Sequence, residues 1–268
     1  MRRTITGFSN PLVKQIKSLR DKKHRRAEGL FLAEGLRILT EARHAGRLPT
    51  MVVSTAEAAQ HPLAIELLAA VETAGGEWIE TNRDILAKLS GKDNPQTVLG
   101  VFEERGTELA TIDRSASDIW LVAQSLRDPG NLGTMLRTGD AVGAGGLILI
   151  DDCADPFSVE AVRASMGALF TQRIARARWT DFIAWLRAGP GQLVGTSLNT
   201  EKDYQSVRYD APTFILAGNE AQGLPADYEA ECDTLVKIPM MGKADSLNIA
   251  IATAVMSYEV LNQRRQAN

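Results

Sequence analysis

From residue 119 onward the chain repeats one pattern: a short, nearly continuous apolar run, a stretch with helical spacing, then another apolar run. The runs fall at 119–126, 146–150, 170–175, 193–196, 213–217 and 234–238, and the helical stretches at 131–143, 158–167, 180–188 and 246–264. A strand wetted on one face alternates polar and apolar residues, whereas one covered on both faces has no need to. Runs such as G-L-I-L-I at 146–150 therefore predict an α/β fold with a mostly parallel sheet between helical layers. In such sheets ligands lodge beyond the carboxyl ends of the strands.

Residues 1–104 read differently. Helices are expected at 11–20, 33–45 and 62–74 and strands at 51–53, 78–79 and 97–102, which makes a small αβα domain. Residues 105–118 are polar, begin with R-G-T-E, and read as a linker to a second domain at 119–268. No apolar run in the 268 residues approaches the roughly 20 of a membrane span. The start, M-R-R-T-I-T-G-F-S-N, lacks the apolar core of a signal peptide, so a cytoplasmic protein without membrane partners is expected. Cys153 and Cys232 are far apart and form no C-x-x-C, so both read as buried small hydrophobes and no metal is expected.

The net charge of −3 conceals an asymmetry. Residues 1–26 carry Arg2, Arg3, Lys14, Lys17, Arg20, Lys22, Lys23, Arg25 and Arg26 against Asp21 alone, giving +8, and the remainder is −11. Such a run is either a solvated helix face or a phosphate-contacting patch, which makes nucleic acid a candidate partner.

Three strand ends carry loops of small or kinking residues: G-T-S-L-N after 193–196, A-G-N-E-A-Q-G-L-P after 213–217, and I-P-M-M-G-K-A-D-S-L-N after 234–238. Taken singly, the second is a tight turn around Gly218 and Gly223, and the third is a helix cap with Asp245 or Ser246 at its start. Together they line one end of the sheet and imply a pocket. V-G-A-G-G-L at 142–147 follows a helix and precedes a strand, the reverse of a dinucleotide fingerprint, so a nucleotide-cofactor oxidoreductase is disfavoured. All three histidines, His24, His44 and His61, precede the second domain, so proton chemistry there must proceed without imidazole. Arg137, in the helix beside Leu132, Met135, Leu136 and Val142, is then either a solvated charge or a functional one.

N-L-G-x-x-x-R-T at 131–138, I-L-A-G-N-E-x-x-G-L-P at 215–225 and I-P-M-x-G-x-x-x-S-L-N-I-A-I-A at 238–252 resemble, in order and spacing, the three motifs of the SpoU (TrmH) RNA ribose 2′-O-methyltransferases of the SPOUT superfamily. D-P-F-S-V-E-A-V-R-A-S-M-G-A at 155–168 resembles the segment that family carries between its first two motifs. S-N-P-x-V-K-x-I-K-x-L-R with F-L-A-E-G-L-R is similar to the N-terminal RNA substrate-binding domain of members that methylate ribosomal RNA.

The resemblance implies an α/β-knot (deep trefoil knot) methyltransferase domain, a homodimer packed through it, and S-adenosylmethionine as cofactor. It assigns cofactor contacts to Thr196, Leu216, Gly218, Asn219, Gly223, Ile238, Met240 and Leu247. It assigns the catalytic group to Arg137 with Asn131, Glu220, Ser246 and Asn248 around it. A guanidinium is a poor base in water, so Arg137 is either a base altered by a neighbouring phosphate or a cation stabilising the developing alkoxide. RNA contacts are expected at Lys14, Lys17, Arg20, Lys22, Lys23, Arg25 and Arg26, and at Arg163 in the R-A-S-M-G piece, which reads equally as a salt bridge. Ribosomal RNA is the favoured substrate, the alternatives being transfer RNA or a non-catalytic RNA-binding assembly factor.

Overall fold

The computed structural model describes residues 2–267. Its elements divide between two compact units: residues through Arg105 together with Asp155–Thr171, and Gly106–Ala154 together with Gln172 onward.

The first unit holds a five-stranded mixed sheet in the order β1-β4-β3-β5-β2, made by β1 (Arg2–Thr4), β2 (Leu30–Glu34), β3 (Met51–Thr55), β4 (Glu77–Thr81) and β5 (Val98–Glu103). Its helices are α1 (Pro11–Ser18), α2 (Lys22–Glu28), α3 (Leu36–His44), α4 (Pro62–Thr73) and α5 (Arg83–Ser90). Asn10 starts α1 by accepting from the Leu12 amide, ahead of Pro11, whose missing N–H costs nothing in a first turn. Val13 and Ile16 of α1 and Ile85 and Leu89 of α5 pack on the Leu32, Val53 and Leu99 face of the sheet.

Two strands and two helices here were not expected. β1 is three residues long, too short for a period, and α2 (K-K-H-R-R-A-E) has almost no apolar residue to mark a face. Phe31, Leu32 and Ala33 are all buried, so β2 lacks the alternation that announces a half-wetted strand, and its last two residues, Ala33 and Glu34, fall within the helix expected at 33–45. α5 has the apolar spacing at Ile85, Leu86 and Leu89 but spans only eight residues.

The segment 155–171 packs on this same sheet. Phe157 lies 5.0 Å from Phe31 and Phe170 lies 4.8 Å from Phe102, ring centre to ring centre. Its helix α7 (Val159–Ser165) begins at Ser158, which accepts from the Ala161 amide. Asp155 receives Arg25, whose Nη2 is 2.6 Å from Oδ2 while Nη1 donates to the carbonyls of Leu19 and Arg20. This corrects the expectation that Arg25 contacts RNA: its side chain is 3% exposed and its donors are turned inward. The basic run on either side hid a structural arginine.

The second unit holds six strands in the order β11-β9-β10-β6-β7-β8, every pairing parallel: β6 (Ile119–Gln124), β7 (Gly146–Ile150), β8 (Arg173–Ala177), β9 (Gln192–Thr196), β10 (Thr213–Ala217) and β11 (Thr234–Val236). Trp120, Ile148, Phe182, Leu193 and Phe214 fill one side, with α8 (Trp179–Arg187) over them. On the other side α6 (Pro129–Ala141) packs against α10 (Ile249–Ala267), and α10 also covers β10. A further helix, α9 (Ala226–Glu231), was not expected from A-D-Y-E-A-E, which has no buried residue. Residues 106–118 are packed within this unit instead of spanning open solvent. The Thr107 amide donates to Ile174 O, and Ile112 joins the core. No described helix is long and apolar enough to cross a membrane.

Truncating one member of a buried ion pair strands the other, at a cost of about 3–5 kcal/mol. Arg25→Ala is therefore expected to lower the unfolding free energy by about 3 kcal/mol in urea titration. Arg26→Ala, on the exposed neighbour, is expected to stay within about 0.5 kcal/mol of the parent.

Candidate active site

The loops after β9, β10 and β11 close around a cavity of about 390 Å³ at the carboxyl end of the sheet. Gly218 makes this closure sterically feasible. A Cβ on it would sit 2.4 Å from the Gly223 carbonyl carbon and 2.5 Å from the Leu224 nitrogen. The loop it opens is pinned by reciprocal backbone bonds, Asn219 N to Gly223 O (3.1 Å) and Gly223 N to Asn219 O (2.9 Å). Gly223 takes the left-handed conformation, φ 69°, that completes the turn. The Asn219 side chain holds both ends of the arrangement. Its Oδ1 accepts from the amides of Ala221 and Gln222, and its Nδ2 donates to Ser125 O at 2.9 Å.

Beside the cavity, three stretches distant in sequence meet through one carboxylate. Glu220 accepts from the amides of Arg127 and Asp128, each at 3.2 Å, and from Asn131 Nδ2 at 3.4 Å. Asn131 Oδ1 in turn accepts from Asn248 Nδ2 at 2.9 Å. Asn248 Oδ1 accepts from the amides of Ala250 and Ile251, so Asn248 caps α10. The cap expected at Asp245 or Ser246 thus lies two to three residues later. Ser246 Oγ donates to Asp245 instead. At the start of α6, Asp128 accepts from the Asn131 backbone amide at 2.6 Å and caps the helix that carries Asn131.

Of the residues assigned to the cofactor, Thr196, Gly218, Asn219 and Gly223 border the cavity from two loops, and Ile238, Met240 and Leu247 from the third. Leu216 does not border it; it is fully buried within β10, and its carbonyl accepts from Thr196 Oγ1. Of the catalytic set, Glu220 and Ser246 border the cavity, while Asn131 and Asn248 reach it through Glu220. Arg137 stands apart, exposed on α6, and among the described residues it makes no hydrogen bond or ion pair. Lys14, Lys17, Arg20, Lys23 and Arg26 are exposed and Lys22 half-buried on the first unit, and Arg163 is exposed on α7.

The sequence reading missed Glu229, which borders the cavity from α9 and accepts from Ser197 Oγ and from Asn199 Nδ2. Only the S-L-N of the first loop hinted at this corner, because the short helix that carries Glu229 leaves no apolar signature.

Burial raises the pKa of Glu220, but the backbone amides, its own and those of Asp128 and Arg127, and the Asn131 amide outweigh it and hold the carboxyl below its ordinary value of 4.5. A carboxyl depressed on folding stabilises the fold fully above its unfolded pKa, and loses that contribution as pH falls through the folded value. Glu220→Gln is therefore expected to lower Tm by a constant amount above about pH 5, with the gap to the parent narrowing in more acid solution. Thermal scans across pH check this; a gap unchanged at the acid end would remove the charge from the explanation.

Residues 118–258 match the family described as the SpoU rRNA Methylase family, and residues 10–100 match an MRM3-like substrate binding domain. A 23S rRNA (guanosine(2553)-2′-O)-methyltransferase, RlmP of Bacillus subtilis (strain 168), is 28% identical over 96% of this chain and 98% of its own. A 23S rRNA (uridine(2479)-2′-O)-methyltransferase of Streptomyces viridochromogenes is 32% identical over 92% of this chain and 87% of its own. The solved structure of an AdoMet-bound rRNA methyltransferase from Sinorhizobium meliloti superposes with a TM-score of 0.91 at 40% identity, covering 100% of this chain and 99% of that one. With its three motifs joined through Asn131, Glu220 and Asn248, the chain belongs to the SpoU rRNA Methylase family.

Proposed function

We propose that the protein methylates a ribose 2′-hydroxyl of ribosomal RNA with S-adenosylmethionine as donor. The observation that carries this reading is the convergence of Asn131, Glu220 and Asn248 beside a cavity walled by three strand-end loops. The names of the full-length relatives favour ribosomal over transfer RNA.

The cavity fits the donor. Gly218 lets the β10 loop fold back on itself at the cavity wall, Ile238, Met240 and Leu247 supply apolar wall, and Glu229 supplies a carboxylate suited to hydroxyl donors. When bound, the sulfonium supplies an electrophilic methyl group whose leaving group needs no acid. The protein's task is then alignment and handling of the hydroxyl proton. Glu220, Asn131 and Asn248 set the mouth of the pocket. Arg137 fits a cation that meets the developing alkoxide, since no anion among the described residues claims it and guanidinium keeps its charge in water.

We assign the same chain to a cytoplasmic homodimer formed through the second unit and to a trefoil knot within it. Ile251 and Tyr258, 53% and 54% exposed and two turns apart on α10, give a dimer an apolar face to cover. The strand order, with β10 between β9 and β6, is compatible with a chain threaded through its own loop.

Calorimetric titration with S-adenosylmethionine should show saturable binding, and its absence would overturn the assignment. Arg137→Ala is expected to lower methyl transfer by at least about 100-fold. Cofactor affinity should hardly change, because Arg137 does not border the cavity. A variant that still turned over would remove Arg137 from the chemistry. Each lysine on a phosphate contributes roughly 0.7–0.9 to the slope of log affinity against log salt. Replacing Lys14, Lys17 and Lys23 together by alanine is expected to flatten that slope by roughly 2. An unchanged slope would take these lysines off the RNA path.

A further inference from the structure

The cavity at the carboxyl end of the second sheet is charged on one side of the balance only. Glu220, Glu229 and Asp245 border it, and among the described residues no lysine, arginine or histidine does. The hydrogen-bond partners of these carboxylates are neutral as well. Glu229 accepts from Ser197 Oγ and, at 3.2 Å to each of its oxygens, from Asn199 Nδ2. Glu220 accepts from two backbone amides and the Asn131 side chain, and Asp245 accepts from Ser246 Oγ at 3.2 Å. Neutral donors favour the ionised form of a carboxyl without cancelling its charge.

Nearby cations are directed elsewhere. Lys237 lies in sequence between two residues of the wall, Val236 and Ile238, yet its ammonium turns to Glu201 at 3.5 Å. The Arg127 guanidinium pairs with Asp152 at 2.6 Å, and Lys243, exposed in the loop after β11, does not border the cavity. Glu229 is moreover half-buried, and Leu224, Val236 and Ile249, all buried, share its wall. Apolar walls screen a charge less than water does, so the field of such a carboxylate extends across the space beside it.

The donor and its product differ where this field matters. S-adenosylmethionine carries a sulfonium, an ammonium and a carboxylate, and so one net positive charge. On transfer the bond between sulfur and methyl breaks and a bond from that carbon to the ribose oxygen forms. The sulfur keeps the bonding pair as a neutral thioether, the hydroxyl proton passes to solvent, and the spent cofactor is left without net charge. Adenine, ribose and amino-acid tail are common to both molecules. Hydrogen bonds to those groups, including any that Glu229 accepts from a hydroxyl, therefore cancel in a comparison of the two. A cavity of about 390 Å³ leaves no part of its occupant far from the wall, so the charge that distinguishes donor from product is felt by the carboxylates. We propose that Glu229, with Glu220 and Asp245, makes this cavity select the sulfonium donor over its neutral product by charge, so that methyl transfer itself loosens the spent cofactor. This rests on the S-adenosylmethionine reading above.

Calorimetric titration of the full chain with three ligands tests it: S-adenosylmethionine, S-adenosylhomocysteine and sinefungin. In sinefungin an amine-bearing carbon replaces the sulfonium, so it transfers no methyl group but keeps the charge. Both charged ligands are expected to bind at least about fivefold more tightly than S-adenosylhomocysteine at about 0.05 M salt, with a smaller ratio at about 0.5 M. Glu229→Gln is expected to shrink both charged-to-neutral affinity ratios at least about threefold, and Glu229→Asp, which keeps the charge, to hold them within about twofold of the parent.

The ratio separates charge from shape and from folding, since a residue that only shapes the wall would weaken all three ligands alike. A Glu229→Gln loss spread equally over the three overturns the proposal. So does a wild-type protein that binds S-adenosylhomocysteine as tightly as both charged ligands, and that result leaves the donor assignment standing. A wild-type protein that binds none of the three sinks the donor assignment itself.

Discussion

The site hangs on one carboxylate. Glu220 accepts from two successive backbone amides, those of Arg127 and Asp128, and from the side chain of Asn131. Through Asn131 it also reaches Asn248, the residue that starts α10. Loops that leave three different strands would otherwise be free to settle independently. Charge-assisted bonds of this kind are stronger than neutral ones, and their geometry leaves few alternatives. The depressed pKa of Glu220 is the electrostatic record of the same contacts.

The parallel sheet makes that gathering possible. Because every pairing in the second unit is parallel, the loops after β6, β9, β10 and β11 emerge at one end, and β10 lies between β9 and β6. The fold thereby turns separate stretches of sequence into one cavity, with the β10 loop as a wall. Asn219 braces that wall by tying the β10 loop to Ser125 at the end of β6.

Much of this is legible in the amino-acid sequence. Apolar runs without alternation predicted the parallel sheet, and strand-end loops of small residues predicted the pocket. Features that depend on tertiary partners were not legible. Arg25 sits in a basic run and looks like its neighbours until Asp155, 130 positions away, is seen beside it. Glu229 lies on a helix with no buried residue, so no hydrophobic period announces it. β2 was missed because both its faces are covered, a condition that erases the alternation by which short strands are read. The sequence places a helix cap at Asp245 or Ser246, but it is Asn248, held by its bond to Asn131, that accepts the first amides.

The segment 155–171 lies inside the stretch that matches the methylase family, yet its phenylalanines and Asp155 complete the core of the first unit. Inheritance and folding therefore draw different boundaries through this chain. A lineage that exchanged its first hundred residues for another RNA-binding module would orphan Phe157, Phe170 and Asp155 at a stroke. Such exchanges are viable only when the new module brings a surface that accepts the same seventeen residues, which ties the history of each half to the other.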